Sequence, residues 1–300
     1  ITIAIANRLF AQTGYAFRGA FREFVQKFYG APFEQMDFHK DPNGERERIN
    51  KWVADQTRER IRDLIPRDGI NELTRLVLAN AIYLKAPWAD PFLESATKPA
   101  PFHVRGGAVV DVPMMRKTDE NFGYVKGDGF TAVTIPYTGS ELQFVVLLPD
   151  EINGLRQLES KLTAELLGQC ARLEPREVDL SLPKFKFEPP TVALTDVLQT
   201  LGMKSAFDEP PGSANFNGIA PRKPKDYLYI SQVFHKTFIA VDEKGTEAAA
   251  ATAVVMARAT ALLPPRPKPI EVKVDQPFVY AIQHVPSGAC LFIGRVTDPR

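Results

Sequence analysis

The chain has 300 residues, of which 44% are hydrophobic and 24% are charged, and this composition is typical of a soluble globular protein with a sizeable core. Lys and Arg together number 37 against 36 Asp and Glu, so the net charge of +1 lacks the basic excess that nucleic-acid binding needs. No apolar run approaches the roughly 20 residues that span a bilayer, so we expect neither a nucleic-acid nor a membrane partner.

The first part of the chain is predicted to hold two helices and two strands. Alternating apolar residues predict a strand over residues 1–12, and Tyr15–Tyr29 reads as a helix. A second helix is predicted over Gly44–Ile65, because its apolar side chains fall near helical spacing. Residues 73–88 are apolar on both faces, which is typical of a central strand covered above and below.

The rest of the chain is predicted to be mostly strand. We expect buried strands over 143–151 and 178–187, a short helix over Thr191–Leu201 and a long strand region over 227–245. The last two apolar segments predict a hairpin with Ser287-Gly288 at its turn. Many strands and few long helices, without an alternating strand–helix rhythm, predict the α+β class.

The sequence contains no motif typical of an active site, a phosphate loop or a dinucleotide site. Four histidines are present, and none has a second ligand at metal spacing: His39, His103, His235 and His284. We therefore expect no metal and no cofactor, although a Ser-His-Asp triad built from distant segments stays open. Cys170 and Cys290 are expected to be two free, buried thiols.

The most informative segment is 243–263, which reads EKGTEAAAATAVVMARATALL. One interpretation is an alanine-rich helix starting at Thr246, since Ala has the highest helix propensity. Every second residue from Thr246 to Met256, however, is small or apolar and uncharged, which suits a strand with one buried face. Gly245 gives a permissive pivot at the start, and the prolines begin only at Pro264.

The segment EKGTEAAAATAV resembles the hinge of inhibitory serpins. Further segments resemble the family in family order: LVLANAIYLKAPWADPF, VPMMRK, ELQFVVLLPDE, LSLPKFKFE, ISQVFHKTFIAVDEKGTEA, DQPFVYAIQH and LFIGRVTDP. The resemblance implies the serpin fold, with a large mixed central β-sheet, smaller sheets, surface helices and an exposed reactive loop. It also implies one domain over 1–300 that lacks the family's N-terminal helices, with the reactive loop at 246–269.

The resemblance implies that the chain is an inhibitor and not an enzyme, and that it acts by the mechanism of the family. A serine protease attacks a bond in the loop and becomes acylated, and the cut hinge then enters the main sheet as a new strand, so that the protein acts as a suicide substrate. The hinge residues implied by the resemblance are Glu243, Gly245, Thr246, Glu247, Ala248, Ala249, Ala250 and Ala251.

The family spacing, counted from Glu243, places the scissile bond between Ala259 and Thr260. An Ala there suits an elastase-like protease, whereas cleavage after the preceding Arg258 suits a trypsin-like one. Counting back from Pro277 reaches the proline-rich patch instead, so the loop is expected to be longer than the family norm.

Three further positions match family residues that control opening of the sheet. Asn80 and His235 match positions at the centre of the sheet, and the alternative for His235 is a core histidine satisfied by a neighbour. Trp88 matches the tryptophan where the hinge first enters, and its alternative is plain core packing.

Other functions stay open at this point. One is a non-inhibitory serpin that acts as a carrier or chaperone, another is an inhibitor of cysteine proteases, and a third is an unrecognised hydrolase. The resemblance further implies a serine protease as partner, a monomer, and an extracellular or secreted location.

Overall fold

The structure is a computed structural model that describes residues 1–30, 32–224, 226–247 and 268–300, and within them the side chains at 4–7, 80, 82 and 119 are not described. The helices are α1 (Gly19–Tyr29), α2 (Pro42–Gln56), α3 (Leu155–Ser160), α4 (Ala164–Cys170) and α5 (Thr195–Thr200), with 3₁₀ turns at Glu94–Ala96 and Ser205–Phe207.

The strands outnumber the helices, and the α+β prediction is confirmed. They are β1 (Thr2–Gln12), β2 (Phe33–Met36), β3 (Leu76–Pro87), β4 (Lys98–His103), β5 (Val109–Lys126), β6 (Phe130–Pro136), β7 (Leu142–Pro149), β8 (Pro175–Pro183), β9 (Phe185–Phe187), β10 (Val192–Ala193), β11 (Phe234–His235), β12 (Ile239–Asp242), β13 (Gly245–Thr246), β14 (Ile270–Lys273), β15 (Phe278–His284) and β16 (Ala289–Val296).

The chain divides into two compact units, and each unit draws on separate stretches of sequence. Unit 1 comprises Ile1–Thr2, Leu84–Lys186 and Ile239–Arg300, whereas unit 2 comprises Ile3–Tyr83 and Phe187–Phe238. Strand β3 begins in unit 2 and ends in unit 1. The single domain expected over 1–300 stays a prediction.

Unit 1 is built on a sheet of eight strands. Seven follow in the order β14-β8-β5-β6-β7-β15-β16, and β4 pairs with β5. Only the β14–β8 pair is parallel in this path. Strands β6 and β7 are buried along nearly their whole length, and β7 confirms the buried strand predicted over 143–151, whereas β6 was not predicted. The predicted terminal hairpin is confirmed as β15 and β16.

Unit 2 is held by an apolar cluster between α2 and its neighbouring strands. Helix α2 contributes Ile49 and Val53, and Trp52 packs against the same cluster. Strands β1 and β3 contribute Phe10 and Ala79 among others. The cluster explains why α2 has one apolar stripe in an otherwise charged sequence.

Helix α2 is shorter than predicted. It ends at Gln56, and Arg58 and Glu59 adopt positive φ angles of 53° and 61°, which a helix cannot contain. The apolar residues beyond this point, such as Ile61 and Ile65, are nevertheless buried in the unit 2 cluster. Their spacing therefore reflects burial of a loop, which looks like a helix stripe in sequence.

Three other expectations are corrected in detail. The long strand region over 227–245 is divided into the short strands β11, β12 and β13. Helix α1 begins at Gly19, after the residues expected to start it. Cys170 is free and buried as expected, but Cys290 is free and exposed, because it lies on the strand at the end of the unit 1 sheet.

Candidate functional site

The predicted hinge begins between two strands of unit 1. Strand β12 is followed by a two-residue turn, and β13 then runs back antiparallel to it, with Thr246 opposite Val241. On its other side β13 pairs with the end of β3, where Thr246 lies opposite Ala86 and Gly245 opposite Pro87. Gly245 and Thr246 of the predicted hinge therefore occupy a slot between β3 and β12 in the uncut chain.

The turn into the slot depends on Asp242 and Gly245. The Oδ1 atom of Asp242 accepts hydrogen bonds from the backbone N–H groups of Lys244 and Gly245, at 2.9 Å and 3.2 Å. Gly245 has a φ of +146°, and a Cβ atom there would lie 2.3 Å from the carbonyl oxygen of Ala86. Only glycine permits this approach to β3.

Thr246 is enclosed at the entrance of the slot. Its side chain is buried, and its hydroxyl forms a hydrogen bond with the hydroxyl of Tyr137. The next residue, Glu247, donates its backbone N–H to the carbonyl oxygen of Ala240 at 2.9 Å, which extends the pairing with β12 by one residue. Glu247 has a φ of 48°, which departs from strand geometry.

Trp88 lies directly beside the turn. Its indole Nε1–H donates to the carbonyl oxygen of Asp242 at 2.9 Å, and its backbone N–H donates to the carbonyl oxygen of Lys244 at 3.0 Å. Its ring stacks on Tyr137 with a centroid distance of 4.7 Å and an angle of 4° between the planes. Trp88 thus contacts the hinge entry and also packs in the core, so both of its predicted roles are compatible with this position.

Glu243, at the turn itself, is a buried carboxylate with partners on each oxygen. Thr97 donates to Oε1 and Lys184 donates to Oε2, both at 2.9 Å. Burial raises the pKa of Glu243, but the hydrogen bonds from Lys184, its own backbone N–H and Thr97 outweigh this effect and lower the pKa overall. The hydrogen bond to Glu243 also raises the pKa of Lys184. The pair anchors the turn at which the predicted hinge begins.

The structure places the other predicted site residues elsewhere or does not describe them. His235 lies on β11, opposite Val192 of β10, and its side chain is exposed on this two-residue ladder, away from the buried setting expected for it. The side chain of Asn80 on β3 lies outside the described residues. So do Ala248, Ala249, Ala250 and Ala251 of the hinge, and the candidate cleavage residues Arg258, Ala259 and Thr260. Their roles stay predictions.

Three partners of the hinge were not expected from the sequence, namely Tyr137, Thr97 and Lys184. The sequence carried no signal for them, because Lys184 is an exposed residue between the buried Pro183 and Phe185, which is the ordinary alternation of a strand.

The described part of the chain holds no group of three or more His, Cys, Asp or Glu side chains placed to bind a metal ion. Within the same residues, no helix is both long and apolar enough to cross a membrane.

Comparison with known proteins agrees with this geometry. The sequence profile described as Serpin (serine protease inhibitor) matches residues 1–299. A leukocyte elastase inhibitor of Bos taurus is 38% identical over 99% of this chain and 78% of its own length, and serpin B6 of Pongo abelii is 38% identical over 98% and 76%. The crystal structure of Serpin48 from the insect Tenebrio molitor, described as highly specific, has a TM-score of 0.83 and 34% identity, covering 100% of this chain and 76% of that one.

The family profile and the named relatives define a class of proteins that inhibit proteases and do not catalyse a reaction. The chain belongs to the serpin family.

Proposed function

We propose that this protein inhibits serine endopeptidases as a suicide substrate, by cleavage of its reactive loop and insertion of the hinge into the sheet in which β3, β13 and β12 are neighbours. The observation that carries the proposal is the position of Gly245 and Thr246, which pair with β3 on one side and with β12 on the other. Insertion would continue a strand that has already begun.

The residues after Thr246 suit such a strand. The alternating set from Ala248 to Met256 has small or apolar side chains without charge, and no proline occurs between Gly245 and Pro264. Each inserted residue would add ladder hydrogen bonds worth about 0.5–1.5 kcal/mol each, and its inward side chain would leave water. A carrier or chaperone has no need of a hinge with these properties, so the composition favours inhibition.

The proposed partner is a serine protease, and the bond that it cuts decides its type. Cleavage after Ala259 fits an elastase-like enzyme, because a small pocket accepts a methyl side chain. The name of the Bos taurus relative, an elastase inhibitor, supports this alternative. Cleavage after Arg258 fits a trypsin-like enzyme.

The proposal is tested by mixing the protein with elastase-like, trypsin-like and cysteine proteases. A protease-sized shift that survives denaturing electrophoresis with a serine protease supports trapping, and N-terminal sequencing of the released peptide identifies the bond. A covalent adduct with the cysteine protease alone would favour that alternative. Cleavage with every protease and adduct with none would contradict inhibition.

A second test places a charge at Thr246, the first hinge residue to insert. Thr246→Arg places an unpaired cation in a buried slot, so we expect loop cleavage without a covalent complex. Thr118→Arg, at an exposed position of β5, is the control and should trap as the unsubstituted protein does. If Thr246→Arg forms the complex normally, insertion through this slot is wrong.

A monomer and an extracellular or secreted location are proposed on the family resemblance alone. Sedimentation of the purified protein and fractionation of cells that express it test these two points.

A further inference from the structure

The contact between Tyr137 and Thr246 pairs two buried hydroxyl groups at the entrance of the slot. Tyr137 is 0% exposed and Thr246 is 3% exposed. Within the described residues, this hydrogen bond is the only one formed by either hydroxyl group. Burial raises the pKa of Tyr137 well above its usual range, so its hydroxyl keeps its proton at any physiological pH.

Tyr137 itself is held rigidly by groups outside the hinge. Its ring stacks on Trp88, and its backbone N–H donates to the carbonyl oxygen of Leu142 at 3.0 Å. The following residue, Thr138, donates its backbone N–H to the carbonyl oxygen of Pro87 at 2.9 Å. The phenol of Tyr137 therefore presents a fixed hydroxyl to the slot, and the hydrogen bond breaks when Thr246 moves out of the slot.

We propose that Tyr137 is a positioning residue of the trapping reaction, whose hydroxyl holds Thr246 in the slot before the loop is cut. The inference rests on the proposed function. After cleavage, insertion of the hinge competes with hydrolysis of the acyl-enzyme. A hinge that is seated, with Gly245 and Thr246 already paired in the slot, has the first step of insertion complete. If Thr246 is not held in the slot, a larger share of encounters ends with a cleaved inhibitor and a free protease.

The energetics of buried hydroxyl pairs give this proposal a distinctive signature. Removing one hydroxyl leaves the other without a partner in an apolar setting, which is unfavourable, whereas removing both leaves two apolar groups and is nearly neutral. Tyr137→Phe and Thr246→Val should each release the hinge, and the double variant should restore it. A residue that mattered only for packing would not be rescued in this way.

The first measurement is hydrogen exchange of the Glu247 amide in the uncut protein, because this N–H bonds to Ala240 only while the hinge is seated. We expect exchange to be about 5- to 100-fold faster in Tyr137→Phe and to return towards the original rate in the double variant. Tyr280→Phe, another buried tyrosine of unit 1, whose ring stacks on Phe144, is the control and should leave this rate unchanged.

The second measurement is the fraction of encounters with a serine protease that ends in a covalent complex. This fraction should fall severalfold in Tyr137→Phe, should recover in the double variant, and should not change in Tyr280→Phe. The rate of initial attack on the loop should not fall, because the scissile bond is untouched. If Tyr137→Phe fails to fold, Thr246→Val tests the same pair from the other side.

The possible failures are distinguishable. If the unsubstituted protein traps no protease, the proposed function is wrong, whatever the exchange data show. If it traps and the single variants exchange and trap as it does, only the role of Tyr137 is overturned. The same holds if the defects of the two single variants add in the double variant.

Discussion

Gly245 lies so close to β3 that a Cβ atom would fall 2.3 Å from the carbonyl oxygen of Ala86 and 2.6 Å from the Cα of Pro87. Gly245→Ala should therefore move the hinge out of the slot and lower the free energy of unfolding by about 2–4 kcal/mol. Gly139→Ala, at a φ of +86° with open space around it, is the matched control and should cost about 1 kcal/mol. Equal losses in urea unfolding would show that the backbone contact is unimportant.

Glu243 gives the hinge entry a pH dependence. Because its pKa is lowered in the folded protein, its carboxylate adds stability that is fully present above the ordinary value of 4.5 and is lost as the pH falls through the lowered value. The unsubstituted protein should therefore lose more stability than Glu243→Gln between about pH 6 and about pH 3. Parallel pH dependences of thermal unfolding would contradict this assignment.

At this scale the sequence was informative about the hinge and uninformative about its partners. The small, uncharged alternating residues after Gly245 form a local pattern that suits a strand, and the resemblance to the family's hinge then assigned Gly245 and Thr246 their role. Tyr137 lies 109 residues from Thr246 and Lys184 lies 59 residues from Glu243. Such pairings depend on the sheet topology, which no local pattern reports.

Helix α2 is fixed to the loop that follows it by Asn50. The Asn50 side chain donates to the carbonyl oxygen of Ile65 and accepts from the N–H of Ile65, both at 2.8 Å, and all of these groups are buried. Asn50→Ala would leave the N–H of Ile65 without this partner, so we expect a loss of about 2–3 kcal/mol in the free energy of unfolding.

Lys51→Ala on the same helix is the control. The Lys51 side chain is 78% exposed, so its removal should change the unfolding free energy by less than about 0.5 kcal/mol. If the two substitutions have equal effects in chemical denaturation, the Asn50 contact does not hold the loop.

The elements differ in how well the sequence predicts them, for physical reasons. Strands β7, β15 and β16 were predicted because their apolar sequences are continuous or alternating, have the length of a strand and are bounded by short turns. Strand β6 was not predicted, because Thr131 and Thr134 interrupt its apolar sequence. The end of α2 was missed because Ile61 and Ile65 are buried from a loop, and burial alone imitated the helical period. The region 227–245 was predicted as one strand because its apolar residues continue across the gaps between the short strands, and no glycine or proline marks those gaps.

For the whole molecule, the account requires that the uncut fold is not the most stable arrangement of the chain. Among the residues that the structure describes, Gly245 and Thr246 occupy the slot between β3 and β12, and Glu247 adds one further backbone hydrogen bond. Filling it with about a dozen residues would add hydrogen bonds and buried area on the order of 10 kcal/mol. The account places the release of this energy after cleavage, when the hinge is no longer tethered to the residues beyond the cut bond.

The most direct measurement is the thermal unfolding midpoint of the intact protein before and after a protease cuts the reactive loop. Since 1 kcal/mol shifts the midpoint of a chain of this size by about 2–4 °C, the account predicts a rise of about 20 °C or more in the cleaved protein. An unchanged or lower midpoint after cleavage would contradict insertion of the hinge, and with it the proposed mechanism of inhibition.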